Sequence, residues 1–181
     1  MKLMLHELHA ARAAIAGGDL PPAMKGLARV SRIMEQLNSA WDVLRTMTPS
    51  DYTAFRDALG QSSGFQSLQY RLIEFALGNR NPAMVRPHAH DREAAGALEA
   101  ELSRPSLYQA VLGHARALGH PVPEAALVPA RAPHVPHETV QAMWERVYRD
   151  PGGHWALYEV GEKLVDLEDY FRRWRFNHVT T

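Results

Sequence analysis

There is no cysteine among the 181 residues of this chain. Its absence removes disulfides, thiolate nucleophiles, cysteine-based zinc sites and cysteine-anchored cofactors. Nor is there a surplus of either charge, because twenty lysine and arginine residues balance twenty aspartate and glutamate residues. With no net charge, no long-range field favours nucleic acid or an anionic membrane. The basic run that stands out is RRWR at 172–175. No apolar stretch approaches the eighteen or so residues that cross a bilayer. Met1 is not followed by the hydrophobic region of a signal peptide. The expectation is a soluble cytoplasmic protein. Internal repeats, low-complexity tracts and convincing strand-type alternation are also missing. What remains fits one ordinary domain with a substantial core.

The pattern along the chain is helical. Residues 1–16 form an Ala/Leu-rich stretch with Leu5, Leu8 and Ile15 inward, ended by Gly17 and Gly18. Asp19 with Pro21 and Pro22 starts a second helix. In it Leu27, Val30, Met34, Leu37, Trp41 and Leu44 alternate steps of three and four, the seam of a helix packed along a partner. Asn79 to Pro82 is a break, as is Pro87 before His88 and His90. Residues 92–103 and 105–119 read as two shorter, less apolar helices. The stretch 121–136 holds Pro121, Pro123, Pro129, Pro133 and Pro136, which predicts a surface loop outside regular helix.

Residues 48–77 carry the first chemical signal. Thr48 with Asp51 three residues later, and Pro49 between them, predicts a capped helix start. Tyr52, Phe55, Arg56 and Leu59 then share one helix face, which Gly60 closes. Ser63 with Gln66 reads as a second capping box, opening a helix that runs to Gly78. Two explanations fit Arg56. Its stem packs while its head snorkels to water or a carboxylate, or its planar fork anchors an anion bidentately, with Tyr52 adding a hydrogen bond one turn away.

The last helix carries the second signal. Leu164, Leu167, Phe171, Trp174 and His178 repeat at three and four, so His178 extends an apolar face. A histidine there is either a hydrogen-bonded core residue or a ligand. Neutral imidazole shielded by phenylalanine and tryptophan also suits an axial haem position. The other histidines read as bland. His6 and His9 are helix-surface residues, and the pairs His88/His90 and His134/His137 lack a carboxylate or cysteine partner in motif.

These segments resemble tryptophan 2,3-dioxygenases. The resemblance is carried by KLMLHEL at 2–8, ARVSRIMEQLNSAWDVL at 28–44, the run from Thr48 to Asn79 and the block 154–181. The middle, 92–136, matches loosely and is expected to be a helical and proline-rich excursion within one incomplete domain spanning 1–181. The resemblance implies an all-α helical bundle and a homotetramer. It implies haem b with ferrous iron as cofactor, and L-tryptophan and dioxygen as substrates, opened to N-formylkynurenine as the first step of kynurenine-pathway catabolism. In the family's Trp-Arg-Phe-x-His motif the histidine is the proximal iron ligand. WRFNH at 174–178 places His178 there, with Asn177 where the family usually has arginine, a change that alters local charge. Arg56 becomes the partner of the substrate carboxylate, with Tyr52 lining the same pocket on the side of His178. Ser63 and Tyr70 fall in matching motifs near the haem.

The resemblance also implies a distal histidine upstream of the segment matching Lys2–Leu8, and a Gly-Thr-Gly-Gly loop downstream of His178. Neither occurs in this sequence, so a fragment or a start at an internal methionine is expected, with little turnover by these residues alone. The alternatives are a non-catalytic haem- or tryptophan-binding module, told apart by a Soret band without product, and a colourless helical assembly module.

Overall fold

The structure, a computed structural model, describes residues 1–60, 66–128 and 131–180, and among them there is helix and no strand. Helices α1 (Lys2–Ala16) and α2 (Leu20–Leu44) form a hairpin across Gly17 and Gly18. Met4, Leu8, Ala11 and Ile15 are buried on α1 against Ala23, Leu27, Val30 and Met34 of α2. Leu5 packs at the edge of this core, and Met4 holds the central position beside it. The α2 seam runs inward as far as Trp41. It ends there, because Leu44 is exposed and opens onto a cavity rather than onto a partner helix.

Helix α3 (Pro49–Arg56) starts as its sequence demands. The Thr48 side chain accepts from Asp51 N, and the Asp51 carboxylate accepts from Thr48 N at 2.8 Å. Two orphan donors of the first turn are thereby satisfied. A turn of 3-10 helix, Asp57–Leu59, carries the chain to Gly60. Unlike its neighbours, α3 buries none of its residues.

Helix α4 spans Leu68–Leu77, shorter than the sequence suggests. Its N-cap is Ser67, whose side chain accepts from Tyr70 N, and not Ser63, which lies outside the described residues. Gly78 ends α4 at a φ of 111°, in the left-handed region that favours glycine.

A 3-10 segment, Pro82–His88, follows and carries Pro87 within it. Helices α5 (Arg92–Leu102) and α6 (Leu107–Ala117) are capped by Asp91 and Ser106. The proline-rich stretch corrects the expectation of an unbroken loop, since Glu124–Leu127 forms a short helix, α7. It occupies the proline-free run after Pro123, and Val122 and Ala126 are buried against α6 and α8. Pro123 serves as its N-cap, where a missing N–H costs no hydrogen bond.

Helices α8 (Glu138–Arg149) and α9 (Trp155–Thr180) complete the chain. A Cβ at Gly161 would lie 3.0 Å from the Trp144 ring and 3.1 Å from the Tyr148 hydroxyl, so glycine permits the close approach of α8 to α9. Along α2, Glu35 meets Tyr170, Asn38 meets Asn177 and Arg45 meets Asn177. Residue numbers rise together, so α2 and α9 run parallel, with Trp41 and Trp174 between them.

Among the described residues Arg80 is the largest side chain that is fully buried, at 2% exposure. It donates to the carbonyls of Phe75 at 3.2 Å and Leu102 at 3.3 Å, and also to that of Arg104. One guanidinium thus satisfies carbonyls where both α4 and α5 end.

Candidate functional site

An aromatic column runs along the inner face of α9. Phe171 stacks on Tyr70 of α4, with ring centroids 5.8 Å apart and planes at 16°. Tyr70 leans on Trp174 at 5.1 Å. Trp174 in turn lies parallel to His178, at 5.2 Å and 7°. Trp41 of α2 closes the end of the column, edge-on to His178 at 5.7 Å. The spacing of three and four on α9 produces this order, because those positions stack on one helical face.

The polar groups around the column are specific. The Tyr70 hydroxyl donates to Glu74 Oε1 at 2.7 Å, and Asn79 Nδ2 donates to the same oxygen at 3.2 Å. Arg71 pairs with the other Glu74 oxygen. Burial, then the Glu74 carboxylate, pushes the Tyr70 phenol well above its ordinary range, so it stays protonated. Asn177 is buried, accepts from Arg45 of α2 and donates to Asn38 Oδ1 at 3.4 Å. Arg45 thus adds a guanidinium to this turn of α9 from across the interface.

His178 is half-buried, and its recorded contacts among the described residues are aromatic. Beside it the Trp41 Nε1 is buried without a hydrogen-bond partner. Among the described residues no three histidine or carboxylate side chains group to hold a bare metal ion. A single neutral imidazole among flat apolar rings is a donor that would suit haem iron, so the residues present fit that group, with His178 the one that would hold it.

The other sequence-derived site residues are spread around this end of the fold. Tyr52 is exposed and lines a cavity of about 380 Å³ with Leu44, Arg45, Met47 and Thr180. Thr180 lies two residues beyond His178, so Tyr52 and the last turn of α9 share one opening. Its neighbour Phe55 meets it edge-on at 5.4 Å. Arg56 is half-buried, and its Nη1 donates to the Gly60 carbonyl at 2.9 Å. It does not border the cavity that Tyr52 lines. Tyr70 stands inside the column, and Ser63 lies outside the described residues.

Several of the other histidines singled out in the sequence have structural places. His137 caps α8 by accepting from Thr139 N at 3.2 Å, and His134 packs edge-on against Tyr108 at 4.9 Å. His9 pairs with buried Glu101 at 3.3 Å, and its pKa is lowered, chiefly by burial. His6 faces solvent and His88 is buried. Sequence reasoning missed Trp41 as part of the site. Its seam position signalled packing, and only the pairing of α2 with α9 brings it to His178.

Residues 1–123 match the family model described as tryptophan 2,3-dioxygenase. The tryptophan 2,3-dioxygenase of Bradyrhizobium diazoefficiens is 64% identical, over all of this chain and 65% of the relative. That of Ruegeria pomeroyi is 62% identical, again over all of this chain and 66% of the relative. The tryptophan 2,3-dioxygenase 1 of Ralstonia nicotianae is 56% identical over 62% of its length. The chain therefore spans a little under two thirds of the curated relatives it matches.

Proposed function

The chain belongs to the tryptophan 2,3-dioxygenase family, and on that footing we propose that it forms the haem-ligating part of an enzyme that opens the indole ring of L-tryptophan to N-formylkynurenine. The observation that carries this reading is His178. It stands at the end of a stacked aromatic column, beside the unpartnered indole N–H of Trp41.

In this reading His178 holds the iron of haem b. Bound ferrous haem supplies the dioxygen chemistry that side chains lack. The protein's own residues do the positioning. Trp174 and Trp41 fix the plane of the His178 imidazole. Tyr70, kept protonated by burial and by Glu74, forms an uncharged wall. Ser63, outside the described residues, is assigned near the haem by its motif alone.

Arg56 is the partner of the substrate carboxylate. One of its five donors is engaged with Gly60, which leaves the fork able to grip a carboxylate while its stem stays anchored. Tyr52 offers a phenol one turn away on α3. Assembly into a homotetramer accompanies this reading. It is supported by apolar side chains left exposed at the ends of α2 and α9 and along α3, among them Val43, Phe55, Phe176 and Val179. The region 92–136 is a helical and proline-rich excursion from the same domain. A cytoplasmic location suits this chemistry, and no described helix is long and apolar enough to cross a membrane.

The test is haem titration of the protein followed by incubation with L-tryptophan and dioxygen under reducing conditions. Formation of N-formylkynurenine by a longer protein that contains these residues is the expected result, with little turnover by the 181 residues alone. A Soret band without product would instead favour a binding module without turnover.

A further inference from the structure

The opposite end of α9 carries a cluster that the proposed reaction does not use. Where α6, α8 and α9 meet, a cavity of about 480 Å³ is lined by Leu118, His120, Arg146, His154 and Trp155. The His120 and His154 rings meet edge to face, 5.0 Å apart. Both side chains and that of Arg146 are free of hydrogen bonds and ion pairs among the described residues.

The neighbouring arginines are already engaged. Arg149 pairs with Glu145 at 3.4 Å, and Arg116 pairs with Glu124. Asp150 accepts from Gly153 N at 3.0 Å within its own turn. Asp150 keeps its charge beside Gly153 at the edge of the cavity, but among the described residues none of the three nitrogen groups has a carboxylate within ion-pair distance. The backbone adds to them, because Trp155, Ala156 and Leu157 border the same space from the first turn of α9. Their N–H groups have no acceptor within the helix.

Two imidazoles this close would also suit a transition metal. The Arg146 guanidinium beside them opposes a cation, and no third ligand joins them among the described residues. The charge favours an anion. We propose that His120, His154 and Arg146 form a binding site for a small ligand bearing a phosphate or carboxylate group. Arg146 gives permanent charge and a planar fork, and the two imidazoles give directed hydrogen bonds. Burial first, then His154 and Arg146, lowers the pKa of His120 when the site is empty. A bound anion acts in the opposite direction, so binding takes up protons and tightens as pH falls.

The experiment titrates inorganic phosphate, and in parallel acetate, into the full chain while following the imidazole resonances by NMR. Saturable shifts of His120 and His154 are expected, with tighter binding at pH 6 than at pH 8. Arg146→Gln should weaken binding about tenfold or more, the effect of losing one charge-assisted contact. Arg149→Gln, on the same helix but paired with Glu145, should leave it unchanged. Saturation by phosphate alone assigns a phosphate ligand, and saturation by acetate as well assigns the carboxylate class. No shift with either anion overturns the proposal, as does equal weakening by both arginine variants. Shifts with zinc chloride but not with the anions overturn it too.

Discussion

His178 lies flat against Trp174, one helical turn before it, with ring planes 7° from parallel and centroids 5.2 Å apart. This stack joins the last turn of α9 to its buried seam. Trp174 is 9% exposed and also touches Trp41 and Tyr70. Trp174→Ala should cost about 3–5 kcal/mol of stability, as large aromatic truncations in cores do. Trp174→Phe keeps a ring against the imidazole and should cost about 1 kcal/mol. Urea denaturation of the two variants checks the difference, and equal losses would show that the stack contributes little.

Arg80 ties together the ends of α4 and α5. Replacing it by methionine leaves buried carbonyls of Phe75 and Leu102 without this donor. An expected loss of about 3 kcal/mol follows from the cost of unsatisfied buried polar groups. A midpoint shift in urea at unchanged slope is the reading to look for.

Acid should destabilise the fold through histidine. Burial lowers the pKa of His88, aided by His90 and Arg71 and opposed by Asp91. The unfolded chain, with histidine near its ordinary value of about 6.5, takes up a proton first as pH falls. Stability is therefore full above that value and declines as pH drops through it. His88→Gln should flatten the melting temperature between pH 7.5 and 5.5. An unchanged slope would assign the effect to other groups, such as His114 or His134, whose pKa values burial also lowers.

Arg56→Lys should weaken tryptophan binding about tenfold, because a point charge cannot reproduce the bidentate fork. Calorimetric titration of L-tryptophan into haem-loaded protein is the measurement. Equal affinity in the variant would remove Arg56 from the carboxylate's partners.

Several parts of this architecture can be read directly from the sequence, and others cannot. The Thr48 capping box and the seams of α2 and α9 are local, since each depends on residues three and four apart, and each forms as the spacing predicts except that the α2 seam stops at Trp41, short of Leu44. Helix α8 also obeys such a rule, burying Val140, Met143 and Val147 on one face. The start of α4 is less legible, because Ser63 and Ser67 offer similar capping chemistry. Proline content alone misplaced 121–136, because four proline-free residues suffice for one turn once Ala126 finds α6 and α8. The column around His178 is half legible. Its α9 members follow from period, but Tyr70 and Trp41 arrive through tertiary pairing. The engagement of Arg56 with Gly60 is equally invisible, because it depends on how the chain turns after α3.

The most direct test of the central claim is the Soret spectrum of haem-reconstituted protein beside His178→Ala. The account predicts a histidine-ligated spectrum in the native sequence and its loss in the variant, with recovery on adding imidazole. The same spectrum in both proteins would contradict it, because another group would then hold the iron.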